Sequence, residues 1–191
     1  MSERGHITLV TGGARSGKSA LAERLAAAKA GQIAKNFPGD FVLGADTVVA
    51  CGRRVLAKAA DETEARAFLK LLSGRRHRVY GGVCVIGPDG VAHSKCVMTA
   101  VIFKRLSNQD IDAYLKGGEW RDKAGAYAIQ GTAAAFIPKI IGSYSNVVGL
   151  PLAETAALKA RELAPEAREY ALLLAGVRVR QDRFDEAVTL M

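Results

Sequence analysis

The sequence predicts an α/β protein of mixed α+β order, and three observations carry that prediction. Apolar β-branched runs alternate along the chain with segments of helical period. The run at 41–50 is apolar except for Asp46, the pattern of a strand covered on both faces. The middle of the chain holds the signals of a long hairpin. At 191 residues, with 49 % apolar and 24 % charged residues, the chain suits one globular domain, or one with a small appendage.

Each element has its own local reason. A β-branched run at 6–11 predicts a strand, and a glycine-rich turn leads from it into an alanine-rich helix over 20–35. Asn36, Phe37, Pro38, Gly39 and Asp40 break that helix before the apolar strand. Asp61 is placed to cap a helix with Glu64 at its third position. Ala65, Phe68, Leu69 and Leu72 fall on one side of it, and Gly74 ends it. Residues 78–86 and 91–106 predict the hairpin, turning at Gly87, Pro88, Asp89 and Gly90. Ser107 caps a short helix to Leu115, closed by Gly117 and Gly118. Residues 133–141 predict a further strand. Helices follow over 150–163 and 165–174, with Pro165 suited to a first helical turn.

Composition excludes several classes. No apolar run approaches the roughly 20 residues that span a bilayer, and the first five residues lack the apolar core of a signal peptide. Cys51, Cys84 and Cys96 match no metal spacing and predict buried free thiols. Together these predict a cytoplasmic protein with no membrane partner. The net charge of +8 suits a polyanion. The basic residues are scattered, however, with short clusters at Arg53–Arg54 and 75–78, and aromatics are only 6 %. That argues for a nucleotide rather than extended nucleic acid.

Four polar islands carry the chemistry. At 12–19 the chain spells GGARSGKS, the eight-residue phosphate-loop pattern, between a predicted strand and a predicted helix. There, backbone N–H groups can hold phosphate, Lys18 adds a point charge, and the Ser19 hydroxyl can meet magnesium. At 44–47 it reads GADT, at 122–131 DKAGAYAIQG, and at 142–152 GSYSNVVGLPL. Asp46 can serve as general base or metal ligand, or be a solvated strand-end residue or cap. Lys58 and Lys123 can neutralise phosphate or be ordinary exposed lysines. Gln130 can donate and accept through its amide, at a base edge or within a core. Ser143, Tyr144, Ser145 and Asn146 form a polar turn, suited to a cap or to backbone contacts with a ligand. His77 and His93 are taken as strand surface residues, and Trp120 as core or interface.

These motifs, with RLAAAKA at 24–30, RRVLAK at 53–58, LLSG at 71–74 and GEWR at 118–121, resemble the Maf family of nucleoside triphosphate pyrophosphatases. The resemblance implies an inosine triphosphatase-like single domain, its mixed twisted sheet flanked by helices. It also implies hydrolysis between the α- and β-phosphates of a nucleoside triphosphate, a divalent metal (Mg2+ or Mn2+), and a homodimer. It assigns Asp46 as catalytic base and metal ligand, Lys29, Lys58 and Lys123 as phosphate contacts, and Thr47 and Gln130 as residues that choose the base. The DKAGAYxIQG form is that of the branch acting on dTTP and UTP. The family body extends to about residue 160, and 161–191 is expected to form a helical extension packed on it.

The front departs from the family pattern. The family's Ser-x-Ser-x-Arg-Arg loop and the acidic segment before its Arg-Leu-Ala helix are absent. An atypical front at 1–23 stands in their place, with Arg15, Lys18 and Ser19 as the substitutes for phosphate binding. Residues 9–19 also resemble the opening of adenosylcobinamide kinase/guanylyltransferases. Tyr80, Gly81 and Gly82 lack the threonine hydroxyl usual in the family's corresponding stretch. Two other readings therefore stand beside the pyrophosphatase: a phosphate-loop kinase or nucleotidyltransferase, and a nucleotide-binding protein without turnover.

Overall fold

The computed structural model describes residues 17–163. The predicted strand at 6–11, the helix at 165–174 and all but the first three residues of the predicted extension lie outside them, as does the front loop up to Ser16.

Helix α1 (Lys18–Ala34) begins at Gly17 and places Ala22, Ala26 and Ala30 on one buried stripe. The stripe explains why this helix is so rich in alanine. It lies on strands β1 (Val42–Cys51) and β3 (Arg76–Ile86), which pair antiparallel with Asp46 opposite Gly82. A Cβ built on Gly82 would lie 2.0 Å from the Ala22 carbonyl oxygen, and one on Gly44 2.4 Å from that of Ala26. Backbone meets backbone here, so small residues are required on both sides.

The sheet has five strands in the order β2–β1–β3–β4–β5, with β2 at Arg54–Leu56, β4 at Ala92–Ile102 and β5 at Lys139–Ile141. Every described pairing is antiparallel. Side chains alternate across it: Val48 and Ala50 pack towards α1, whereas Val49 and Cys51 enter the larger core. That core takes Phe68, Leu69 and Leu72 of α2 (Glu62–Leu72) and Ile111, Tyr114 and Leu115 of α3 (Asn108–Gly117). Asp61 accepts a hydrogen bond from the Glu64 N–H, and Ser107 forms a reciprocal capping box with Asp110, so both predicted caps form. Trp120 is buried, its indole N–H donating to the Leu115 carbonyl. Cys51, Cys84 and Cys96 are free thiols, the first two buried. Burial pushes the Cys96 thiol up to about 11.

Two local expectations are corrected, and one element is new. Residues 133–141 are not one strand: Thr132–Phe136 forms a 3₁₀ turn and only Lys139–Ile141 pairs with β4. Alanines gain little from a pleated surface, and Pro138 cannot donate to a ladder. The hairpin's second arm stops at Ile102, after which Phe103 drops into the core. The short strand β2, turning back from β1 at Gly52 (φ +58), goes unannounced because three residues carry no period. Helices α4 (Tyr144–Val148) and α5 (Leu152–Leu163) close the described chain. No described helix is long and apolar enough to cross a membrane.

Candidate active site

Asp46 lies within β1, not at its end, and is partly shielded, with its side chain 20 % exposed. Its partner comes from α1, where the Lys29 ammonium pairs with Asp46 Oδ1 and also reaches the Ala45 carbonyl at 3.4 Å. The close seating of α1 on the sheet brings the two together across 17 residues.

Lys58 follows β2 and forms an isolated bridge with Ala124, while the Gly125 N–H donates to the carbonyls of Leu56 and Ala57, both at 3.1 Å. These bonds fasten the 122–131 island to the segment after β2. The island is tightly turned, with Asp122, Gly125 and Ala126 at φ +59, +74 and +58. Aspartate and glycine accept that region readily, whereas alanine is strained there. Ala126 is fully buried, and surrounding packing holds it. The turn aims Asp122 back at Lys58, Oδ1 to Nζ 3.6 Å.

These residues share one cavity of about 270 Å³. Lys29, Asp46, Thr47, Lys58, Asp122 and Lys123 line its polar part. Val79, Tyr127, Val147 and Val148 line the apolar part. The Tyr127 hydroxyl is hydrogen-bonded to His77 Nε2 at 2.8 Å beneath that wall. His77 is therefore not a strand surface residue: it is 1 % exposed and packs edge-on against Phe103 and Tyr127. Burial lowers its pKa from 6.5 to about 4 and raises that of Tyr127. A neutral buried pair results.

The Val147–Val148 wall is fixed by a buried polar network. Asn146 Nδ2 lies within hydrogen-bond reach of the Val79 and Val97 carbonyls and of Thr99 Oγ1, at 3.3, 3.2 and 3.0 Å. Ser143 caps α4 through the Asn146 N–H, and its own N–H donates to Thr99 Oγ1. The polar turn is thus a cap and an anchor. Asn146 Oδ1 has no partner and fills the space beside Gly81, 1.9 Å from where a Cβ there would lie.

Among the sequence-predicted residues, Asp46, Thr47, Lys29, Lys58 and Lys123 come together in the cavity. Gln130 does not line it; it is exposed, on a turn where Glu119 accepts from the Thr132 N–H and hydroxyl at 2.8 and 2.6 Å. Lys18 is 3 % exposed at the start of α1, and the Ser19 hydroxyl is hydrogen-bonded with Cys96. Neither lines the cavity, and Arg15 lies outside the described residues. Sequence reasoning missed Asp122, although it stands next to Lys123 in a motif already singled out. It also missed the Tyr127–His77 pair, whose members lie 50 residues apart.

Most of the chain is similar to known proteins. Residues 8–162 match the family described as Maf-like protein, a span that takes in the glycine-rich front and stops short of the tail. A dTTP/UTP pyrophosphatase of Paramagnetospirillum magneticum is 61 % identical over 137 residues, covering 72 % of each chain. Proteins of the same name from Rhodopseudomonas palustris and Nitrobacter winogradskyi are 53 % and 54 % identical over 152 residues, covering 76 % of this chain and 73 % of theirs.

Proposed function

The chain belongs to the Maf family, and from that premise we propose that it is a nucleoside triphosphate pyrophosphatase, cleaving the α–β bond of dTTP, UTP or a modified pyrimidine nucleotide. The observation that carries this reading is a cavity joining one partly shielded carboxylate, Asp46, to three lysines. The names of the relatives supply the substrate class.

The reaction needs a base for water and positive charge around a polyphosphate. In the free protein Lys29 holds Asp46 as an ion pair. A phosphate oxygen offers Lys29 an alternative partner and so releases the carboxylate to take a proton from water. Lys58 and Lys123 hold the remaining phosphate charge, and Thr47 lines the same cavity.

A divalent ion, Mg2+ or Mn2+, fits this donor set as part of the substrate complex. Among the described residues no three His, Cys, Asp or Glu side chains form a cage. Magnesium is commonly held by one or two carboxylates plus substrate phosphates, and Asp46 provides such a carboxylate. When bound, the ion supplies charge at the reacting phosphorus.

The test is phosphate release from a panel of nucleoside triphosphates, with and without added inorganic pyrophosphatase. Signal that requires the coupling enzyme is expected, and Asp46→Asn should abolish it while leaving nucleotide binding within about tenfold. Direct orthophosphate release, or full turnover by Asp46→Asn, would overturn the assignment.

A further inference from the structure

Each of two cavity lysines has a carboxylate partner: Lys29 pairs with Asp46, and Lys58 with Asp122. The two pairs differ in character. Asp46 is partly shielded within a strand, whereas the Asp122 side chain is 87 % exposed, 3.6 Å from Lys58. An exposed pair at that distance holds weakly, so a phosphate oxygen can replace the carboxylate at little cost. The Asp122 backbone stays in place meanwhile, because the Lys58–Ala124 bridge and the Gly125 N–H fasten the turn. The side chain is then left as an unpaired anion on the wall of a cavity filled with polyphosphate.

We propose that Asp122 is a charge-exchange residue: it holds Lys58 while the cavity is empty and turns to the cation of an incoming metal–nucleotide complex once phosphate takes Lys58. The inference rests on the pyrophosphatase reading. Charge balances in the exchange, since one lysine–carboxylate pair and one cation–phosphate pair become one lysine–phosphate pair and one cation–carboxylate pair. Without the cation, Asp122 opposes the nucleotide twice, by competing for Lys58 and by repelling phosphate. Asp122 therefore makes binding depend on the metal and discriminates against metal-free polyphosphates. Its left-handed backbone suits the test, because asparagine and glycine adopt φ +59 with little strain while removing the charge.

The experiment is calorimetric titration with an α,β-methylene analogue of dTTP, with and without Mn2+, on the wild type, Asp122→Asn and Asp122→Gly. Thermal midpoints establish that all three are folded. The wild type should bind the analogue more tightly with Mn2+. Both variants should bind the metal-free analogue about threefold more tightly, the scale of one exposed ion pair, and the Mn2+ complex about threefold more weakly, so that the Mn2+ enhancement falls about tenfold; unchanged binding of the Mn2+ complex would overturn the cation contact. Opposite signs for the two conditions are the signature of exchange. Variants with wild-type metal dependence would overturn the proposal and leave the pyrophosphatase reading standing. A glycine variant diverging from the asparagine variant would assign the effect to backbone and overturn it likewise. A wild type that does not bind the analogue under either condition would overturn both.

Discussion

Gly82→Ala is the sharpest test of how the fold builds the site. The added Cβ would lie 2.0, 2.3 and 2.9 Å from Ala22 O, Ala22 C and Glu23 N. All three are backbone atoms of α1, so no rotamer change relieves the contact, and the helix must retreat by about 1.4 Å to reach ordinary packing at 3.4 Å. Overpacking of this kind costs about 1–3 kcal/mol. At about 3 °C per kcal/mol for a chain of this size, the melting midpoint should fall by about 3–9 °C. The same retreat carries Lys29 away from Asp46, which stands opposite Gly82 in the strand register. A misplacement near 1 Å can cost about a hundredfold in rate, so kcat/KM for pyrophosphate release should drop at least about tenfold. Gly31→Ala is the control: the same helix has open space there, and the substitution should stabilise by about 0.5–1 kcal/mol. A Gly82→Ala protein that melts within a degree of wild type and turns over normally would refute the seating of α1 described above.

Three further predictions follow from the buried polar groups and the exposed amide. His77 is held neutral, with its folded pKa below its unfolded one, so its contribution is complete above about pH 6.5 and is lost as pH falls towards 4. Denaturation at pH 7.5 and 4.5 should show about 2–3 kcal/mol of loss absent from His77→Gln; equal pH slopes in the two proteins would contradict a buried neutral imidazole. Asn146→Ala removes the donors facing the Val79 and Val97 carbonyls and should cost about 2–3 kcal/mol by urea denaturation. It should also speed amide exchange in α4, and unchanged exchange there would mean that the wall has another anchor. Gln130→Ala, at an exposed position off the cavity lining, should leave stability within about 0.5 kcal/mol. If Gln130 reads the base, the kcat/KM ranking among dTTP, UTP and purine nucleotides will change, and an identical ranking removes it from that role.

Local chemistry made much of this protein legible in the sequence. The caps at Asp61 and Ser107 and the hairpin turn at 87–90 rest on contacts within a few residues, and the buried face of α2 and the strand around Asp46 show themselves in periodicity and side-chain type. The islands at 44–47 and 122–131 marked Asp46, Thr47 and Lys123, and the segment 53–58 marked Lys58, before any geometry was known. Tertiary structure decided the rest, because those features depend on approaches that no window of sequence contains. Only packing shows that Ala22, Ala26 and Ala30 are small because Gly44 and Gly82 press against their backbone. Only packing sinks His77 from an apparent strand surface to the base of the cavity wall, 50 residues from the tyrosine it meets. The same holds for the phosphate-loop residues: the pattern at 12–19 is a local signal, but where Lys18 and Ser19 point is set by how α1 lies on the sheet, and among the described residues they lie off the cavity. Sequence determined which groups were available for chemistry. The fold determined which of them share one space, because charge and shape act through distance, and distance is fixed by packing.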